Sequence, residues 1–244
     1  MTRAILWAAF LAAATALLVP NDAWAATAIM PDIPQSGSSG VVRTALVLTL
    51  MAFLPTLLIC TTSFLRIIVV LAMIRHAFGM PQTPPNAVLT SLALFMTIFT
   101  MGPVLTEVSS AGLQPLLDGR ANVTQAMEAG SAPLKTFMLR QTREKDIATI
   151  YSLSGSALPA TAADVEMQKL IPAFMLNELR VAFSIGFVIL LPFLLIDLVV
   201  SSILLALGMM MVPPTTISLP IKILMFLLID GWSLVIQGLA GSFR

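Results

Sequence analysis

Charge is what this sequence has least of. Only 10% of its 244 residues are Asp, Glu, Lys or Arg, against about 25% in an ordinary soluble chain. The formal net charge is +1, which gives no electrostatic basis for binding nucleic acid. One cysteine, Cys60, and one histidine, His76, exclude a disulfide framework and a multi-histidine metal site within one chain. The patterns H-E-x-x-H, G-x-S-x-G and G-x-x-x-x-G-K-S/T do not occur, so metalloprotease, nucleophile-elbow and P-loop chemistry lack their residues. Asp197 and Asp230 are the two carboxylates an acid dyad would need, but nothing in the sequence around them supports one. The chain reads as a non-enzyme without a cofactor.

Apolar residues are what it has instead, at 58%. A single domain core cannot bury that much, so lipid or a membrane-embedded assembly must cover the rest. The first 25 residues have the layout of a bacterial secretory signal. Arg3 gives the positive start, Ala4 to Val19 the apolar run, Pro20 the break, and Ala23-Trp24-Ala25 the cleavage site. The run is short for a membrane span. Cleavage after Ala25 is expected, which places the mature N-terminus outside the cytoplasm.

Residues 26–43 open with a Pro-, Ser- and Gly-rich lead-in. A first apolar hairpin is expected over 44–105. It is interrupted by Pro55 and by the polar patch Thr61-Thr62-Ser63 with Arg66. Its second helix begins at Ala87 behind Asn86 as N-cap and ends near Gly102-Pro103. Residues 106–169 hold about half of all the charges and read as a polar insert, with an amphipathic helix over 135–151 and a loop over 154–164. A second apolar hairpin over 170–244 closes the chain. Its first arm, Leu170 to Leu207, exceeds the roughly 20 residues of one straight span, and Pro192 within it predicts a kink or a helix break. Pro220 falls just inside the start of the second arm, Leu219 to Leu239, where proline is tolerated. The fold class is all-α, and the signal puts both mature ends and the insert on the extracytoplasmic side.

Six charged residues, Arg66, Glu178, Arg180, Asp197, Lys222 and Asp230, lie within or at the borders of apolar segments. Each costs about 2.5 kcal/mol or more when isolated in a bilayer. They are therefore expected to face protein or water. Glu178 and Arg180 are two residues apart and do not face each other on a helix. Partners must come from other helices, and with so few helices per chain an oligomer is favoured. The stretch LALGMMMVPPTTISLP sets Met209, Met210 and Met211 between Gly208 and the pair Pro213-Pro214. Glycine permits a sharp turn at a helix end, and the prolines stop helix from continuing.

Two stretches covering nearly half the chain resemble the FliP family, the FliP/SctR proteins of the type III export gate. They are SFLRIIVVLAMIRHAFGMPQTPPNAVLTSLALFMTIFTMGPV, residues 63–104, and the block from IPAFMLNELRVAFSIGFVILLPFLLIDL through GMMMVPPTTISLP to IQGLAGSF, residues 171–243. The signal and the large insert are similar to the flagellar branch in layout. The resemblance implies about five copies assembled with FliQ and FliR, and with FlhB nearby, in a helical cone. It implies that much of this cone sits above the inner-membrane plane within the flagellar basal body, surrounded by lipid and protein. The implied function is passage of unfolded flagellar proteins, without ATP chemistry of its own. The family carries its methionine-rich loop at the pore constriction, which Met209, Met210 and Met211 match. Methionine is unbranched and repacks around varied shapes, so a ring of such loops would be a deformable seal. The competing reading is a secondary transporter with a solute or ion site at a broken helix around Pro192 and the charges. Against it, the two halves show no similarity to each other.

Overall fold

The computed structural model describes residues 52, 55–80 and 82–243. The expected signal peptide, the lead-in and the start of the first hairpin lie outside the described residues. The chain divides into two compact units, 1–60 and 61–244. In the first, the described residues are helical. The second holds α1 (Phe64–Ala77), α2 (Asn86–Val108), α3 (Val123–Gln141), α4 (Glu144–Leu153), α5 (Met167–Ala206), α6 (Pro214–Leu228) and α7 (Gly231–Gly241). Among the described residues there is no strand, and the class is all-α.

α1 lies against both α2 and α5, and α5 also lies against α3, α4 and α6. Ile67, Val70, Leu71 and Ile74, spaced three or four apart, are almost wholly buried. Each such side chain contributes about 1.5–3 kcal/mol on leaving water. A separate cluster of Met138, Tyr151, Val165, Leu170 and Phe174 fastens the polar segment to the first turns of α5. The Tyr151 hydroxyl accepts the Glu166 amide proton at 3.1 Å, fixing the entry into that helix.

Several helix limits differ from those expected from the sequence. α2 starts one residue early, at Asn86, behind Pro85. The Asn86 side chain accepts a hydrogen bond from Arg75 instead of capping. The helix also runs through Gly102-Pro103 to Val108, then through a π-helical turn, Ser109–Leu113, to Leu117. One proline removes one amide donor, and the turns on either side carry the helix past it. The same holds in α5. Of the kink or break expected at Pro192, the break is absent: the helix continues for 40 residues, about 60 Å at 1.5 Å per residue. The break lies instead in the last arm. α6 begins at Pro214, placing Pro220 in its interior. Asp230 then adopts a left-handed conformation at φ 51°, which Asp tolerates better than most residues. This bends α7 by 64° from α6. The amphipathic stretch 135–151 is two helices, α3 and α4, parted by extended backbone at Thr142 and Arg143.

The N-terminus of α3 is closed by a capping box. Asn122 Oδ1 accepts from the Gln125 amide at 2.9 Å, and Gln125 Oε1 accepts from the Asn122 amide at 3.2 Å. The π turn of α2 then meets α3 at Gly112 and Gly130. A Cβ on Gly112 would stand 2.6 Å from the Ala126 carbonyl oxygen and 3.0 Å from the Gly130 Cα. Both neighbours are backbone, so neither can swing aside. We expect Gly112→Ala to destabilise the protein by about 1–3 kcal/mol, the usual cost of overpacking. Gly102→Ala, inside the same helix where a Cβ meets nothing within 4 Å, should instead be neutral or stabilising by up to about 1 kcal/mol. Thermal unfolding in detergent compares the two.

Among the described residues two helices are long and apolar enough to cross a membrane by length and composition, Asn86–Leu117 and Met167–Ala206. α6 and α7 meet that measure only as a bent pair. Phe183, Phe187, Leu191, Leu195 and Leu198 form a stripe along α5, three or four residues apart, and all are exposed. Lipid or another protein has to cover a stripe of this kind.

Candidate functional site

The methionine loop is the turn between α5 and α6. α5 ends in a Schellman motif. The Met209 amide donates to the Leu204 carbonyl at 2.9 Å and the Gly208 amide to the Leu205 carbonyl at 3.0 Å. Gly208 takes φ 71°. The Met210 amide donates to the Gly208 carbonyl at 3.0 Å. Pro213 is extended at φ −63° and ψ 124°, and Pro214 is the first residue of α6. The side chains are left in the open: Met209 is 45% exposed, Met210 81% and Met211 97%. The backbone of the tip is thus fixed while its thioethers are free. We expect Gly208→Val to cost about 1–2 kcal/mol, the penalty of a left-handed backbone for a side chain with a Cβ. Gly208→Asn should cost less, because Asn tolerates that conformation. Detergent melting temperatures should follow that order.

Two arms rise to this tip and are joined below it. Asp197 stands twelve residues before Met209, and Lys222 eleven after Met211, about three helical turns on each side. Lys222 Nζ donates to Asp197 Oδ2 at 2.6 Å and to the Ala77 carbonyl at 3.0 Å. Beside this bridge the rings of Phe193 and Phe226 meet Phe78 edge-on, with centroids 5.2 and 5.1 Å away. Trp232 meets Phe226 in the same way at 5.4 Å. The end of α1, both arms and the start of α7 are gathered at one level.

The second charged centre is deeper. Arg66 is 1% exposed and Glu178 0%. Arg66 Nε donates to Glu178 Oε2 at 2.8 Å, and Nη2 bonds the other carboxylate oxygen. Nη1 donates to the Ser242 carbonyl at 2.8 Å and to Ser242 Oγ at 3.0 Å. Nη2 also reaches Gln141 Oε1 at 3.1 Å, while the Phe243 ring lies 3.9 Å from the guanidinium carbon. The Asn177 side-chain Nδ2 donates to the Gln141 backbone carbonyl. One guanidinium fork thereby ties α1, the end of α3, α5 and the segment after α7.

Of the six charged residues singled out in the sequence, the structure joins Arg66 with Glu178 and Asp197 with Lys222, all within one chain. Arg180 pairs with Asp146 on α4 at 2.7 Å. Asp230 makes no ion pair among the described residues and instead sets the α6–α7 bend. Asp197 bonds an ammonium group rather than a second carboxylate, so no acid dyad forms around it. Asp146, Gln141, Ser242 and Phe243 were not singled out in the sequence. A buried guanidinium has five N–H donors to satisfy, which signals that Arg66 needs several acceptors without saying which. Among the described residues no three His, Cys, Asp or Glu side chains are grouped to hold a metal.

Long apolar helices, internal charges neutralised in pairs and a methionine-tipped hairpin left in the open are the features of a helical membrane protein. The model of the FliP family matches residues 47–239, and the chain belongs to that family. It is 44% identical over 236 residues to the flagellar biosynthetic protein FliP of Caulobacter vibrioides, covering 96% of this chain and 89% of that protein. It is 47% identical over 217 residues to the FliP protein of Pectobacterium carotovorum, covering 88% and 84%. With the FliP protein of Bacillus subtilis it shares 42% over 205 residues, covering 84% and 93%.

Proposed function

We propose that this chain is a pore-forming subunit of the flagellar type III export gate in the bacterial inner membrane. In this reading it passes unfolded flagellar proteins outward, and the loop of Met209, Met210 and Met211 acts as a gasket. The observation that carries the reading is the exposure of all three methionines at the tip of a hairpin whose base is fixed. A soluble core would bury such side chains, and a mere connecting turn has no use for them. Repeated around an axis, the triplets make a narrow apolar ring that excludes ions by dewetting, yet yields to a passing polypeptide because each thioether can repack. The pore is completed by about five copies of this chain, held by heterologous contacts, together with FliQ and FliR, with FlhB alongside. The exposed stripe on α5 offers apolar surface for those contacts and for lipid. Cleavage after Ala25 leaves the mature N-terminus and the polar segment outside the cytoplasm. The reading assigns the chain no covalent step. Asp197 is already engaged by Lys222, which speaks against an ion site of the transporter kind.

The test is the native mass of the complex extracted in mild detergent after co-expression with FliQ and FliR. A single large species with about five copies of this chain is expected, the arrangement heterologous contacts allow. A monomer or dimer retaining neither partner would end the pore reading.

A further inference from the structure

The three methionines have a chemical property besides their shape. Resting on the gasket reading above, we propose that Met209, Met210 and Met211 are a peroxide-sensitive modification site at which sulfoxide formation opens the gate to ions. Several methionines elsewhere in the fold are shielded: Met101 and Met138 are wholly buried, and Met96 nearly so. Among the described residues the exposed methionines are this triplet and Met127. An oxidant in water therefore reaches the loop sulfurs and Met127 ahead of the buried ones.

The reaction is balanced by peroxide alone. A sulfur lone pair attacks one peroxide oxygen, the O–O bond breaks and an S–O bond forms. The other oxygen leaves as water after proton transfer, the sulfur having lost two electrons. The product is polar, and the loop has little with which to satisfy it. Pro213 and Pro214 carry no amide proton, the Met209 and Met210 amides are committed to Leu204 and Gly208, and residues 203–214 contain no hydroxyl or charged side chain. The new oxygen draws water to the loop, which removes the dryness that holds ions back. Methionine sulfoxide reductases reverse the step with electrons from a thiol pair, so the modification is reversible.

The experiment uses the full chain co-purified with its partner subunits and reconstituted in vesicles that report ion flux, with hydrogen peroxide as the probe. Expected is a gain of about 16 Da per oxygen on the peptide holding the triplet. Ion flux should rise towards that of the M209A/M210A/M211A complex and fall again after reductase treatment. The M209L/M210L/M211L complex, with no sulfur in the loop, should stay tight under peroxide, while M127L should respond as the parent does. If the triple leucine complex does not assemble, M211L alone, lacking the most exposed sulfur, should show a smaller rise. Full oxidation of the triplet without added flux overturns the proposal. So does an equal rise in the leucine complex, or a triplet that stays reduced while Met127 is oxidised. The gasket reading itself fails at a different point: an untreated triple alanine complex that remains tight refutes it, whereas a leaking alanine complex beside a tight oxidised parent refutes only the redox site.

Discussion

Arg66→Ala should lower the stability of the protein by about 3–5 kcal/mol, the cost of stranding one member of a buried ion pair. Glu178 is 0% exposed, and without the guanidinium its carboxylate keeps neither water nor a counter-charge. Removing Arg66 also frees the Gln141 amide oxygen and the Ser242 carbonyl, which the same fork satisfies. Glu178→Ala should cost a similar amount by leaving the guanidinium charge in the interior. The double variant Arg66→Met/Glu178→Leu removes both charges and keeps most of the volume, so it should be less damaging than either single change. That non-additivity is the sign of a direct charge interaction. Melting temperatures of the four proteins in one detergent decide the matter. A double variant as unstable as the sum of the singles would mean that the pair contributes packing alone. Arg180→Ala should also lower stability, since Arg180 is half exposed but Asp146 is 2% exposed, so the change strands a buried carboxylate as Arg66→Ala does.

How far the sequence discloses this fold depends on whether a feature is local. The helices follow from apolar content, and the tip follows from Gly208 and the two prolines, since glycine after a helix and proline before the next are signals carried by single residues. The need of buried charges for partners on other helices could also be read from spacing. Which partner each takes could not, because the Arg66 fork gathers residues from positions 141, 178 and 242. Sequence distance says nothing about that meeting. Pro192 and Asp230 illustrate the other limit. Proline weakens a helix locally, but a long apolar helix absorbs one missing bond. A lone Asp gives no warning of a left-handed residue, because its conformation is set by where α6 and α7 must pack. The close crossing of Gly112 and Gly130 was invisible for the same reason: it belongs to two helices and not to either one.

On the proposed gasket reading, replacing all three loop methionines by alanine should raise ion flux through the assembled gate by about a hundredfold or more. Each substitution deletes Cγ, Sδ and Cε, and truncating one packed methionine commonly costs about 2–5 kcal/mol of contact. If the seal loses even about 3 kcal/mol of its barrier, flux rises by roughly two powers of ten. The loop backbone should survive, because its turn rests on the Gly208 and Met209 amides and on the two prolines rather than on side chains. Assembly and loss of the seal can therefore be separated. Leucine separates the two properties of the gasket further. It is as apolar as methionine and close to it in volume, so a triple leucine gate should hold ions back. Leucine is branched and stiffer, however, and a seal that refits slowly should export less flagellar protein into the medium. Flux across vesicles reads the first property, and secreted protein from cells reads the second. An alanine gate that remains tight while exporting normally would show that the triplet is a connecting turn and that the barrier lies elsewhere in the pore. A leucine gate that exports as fast as the parent would keep the seal but remove deformability as the reason for methionine.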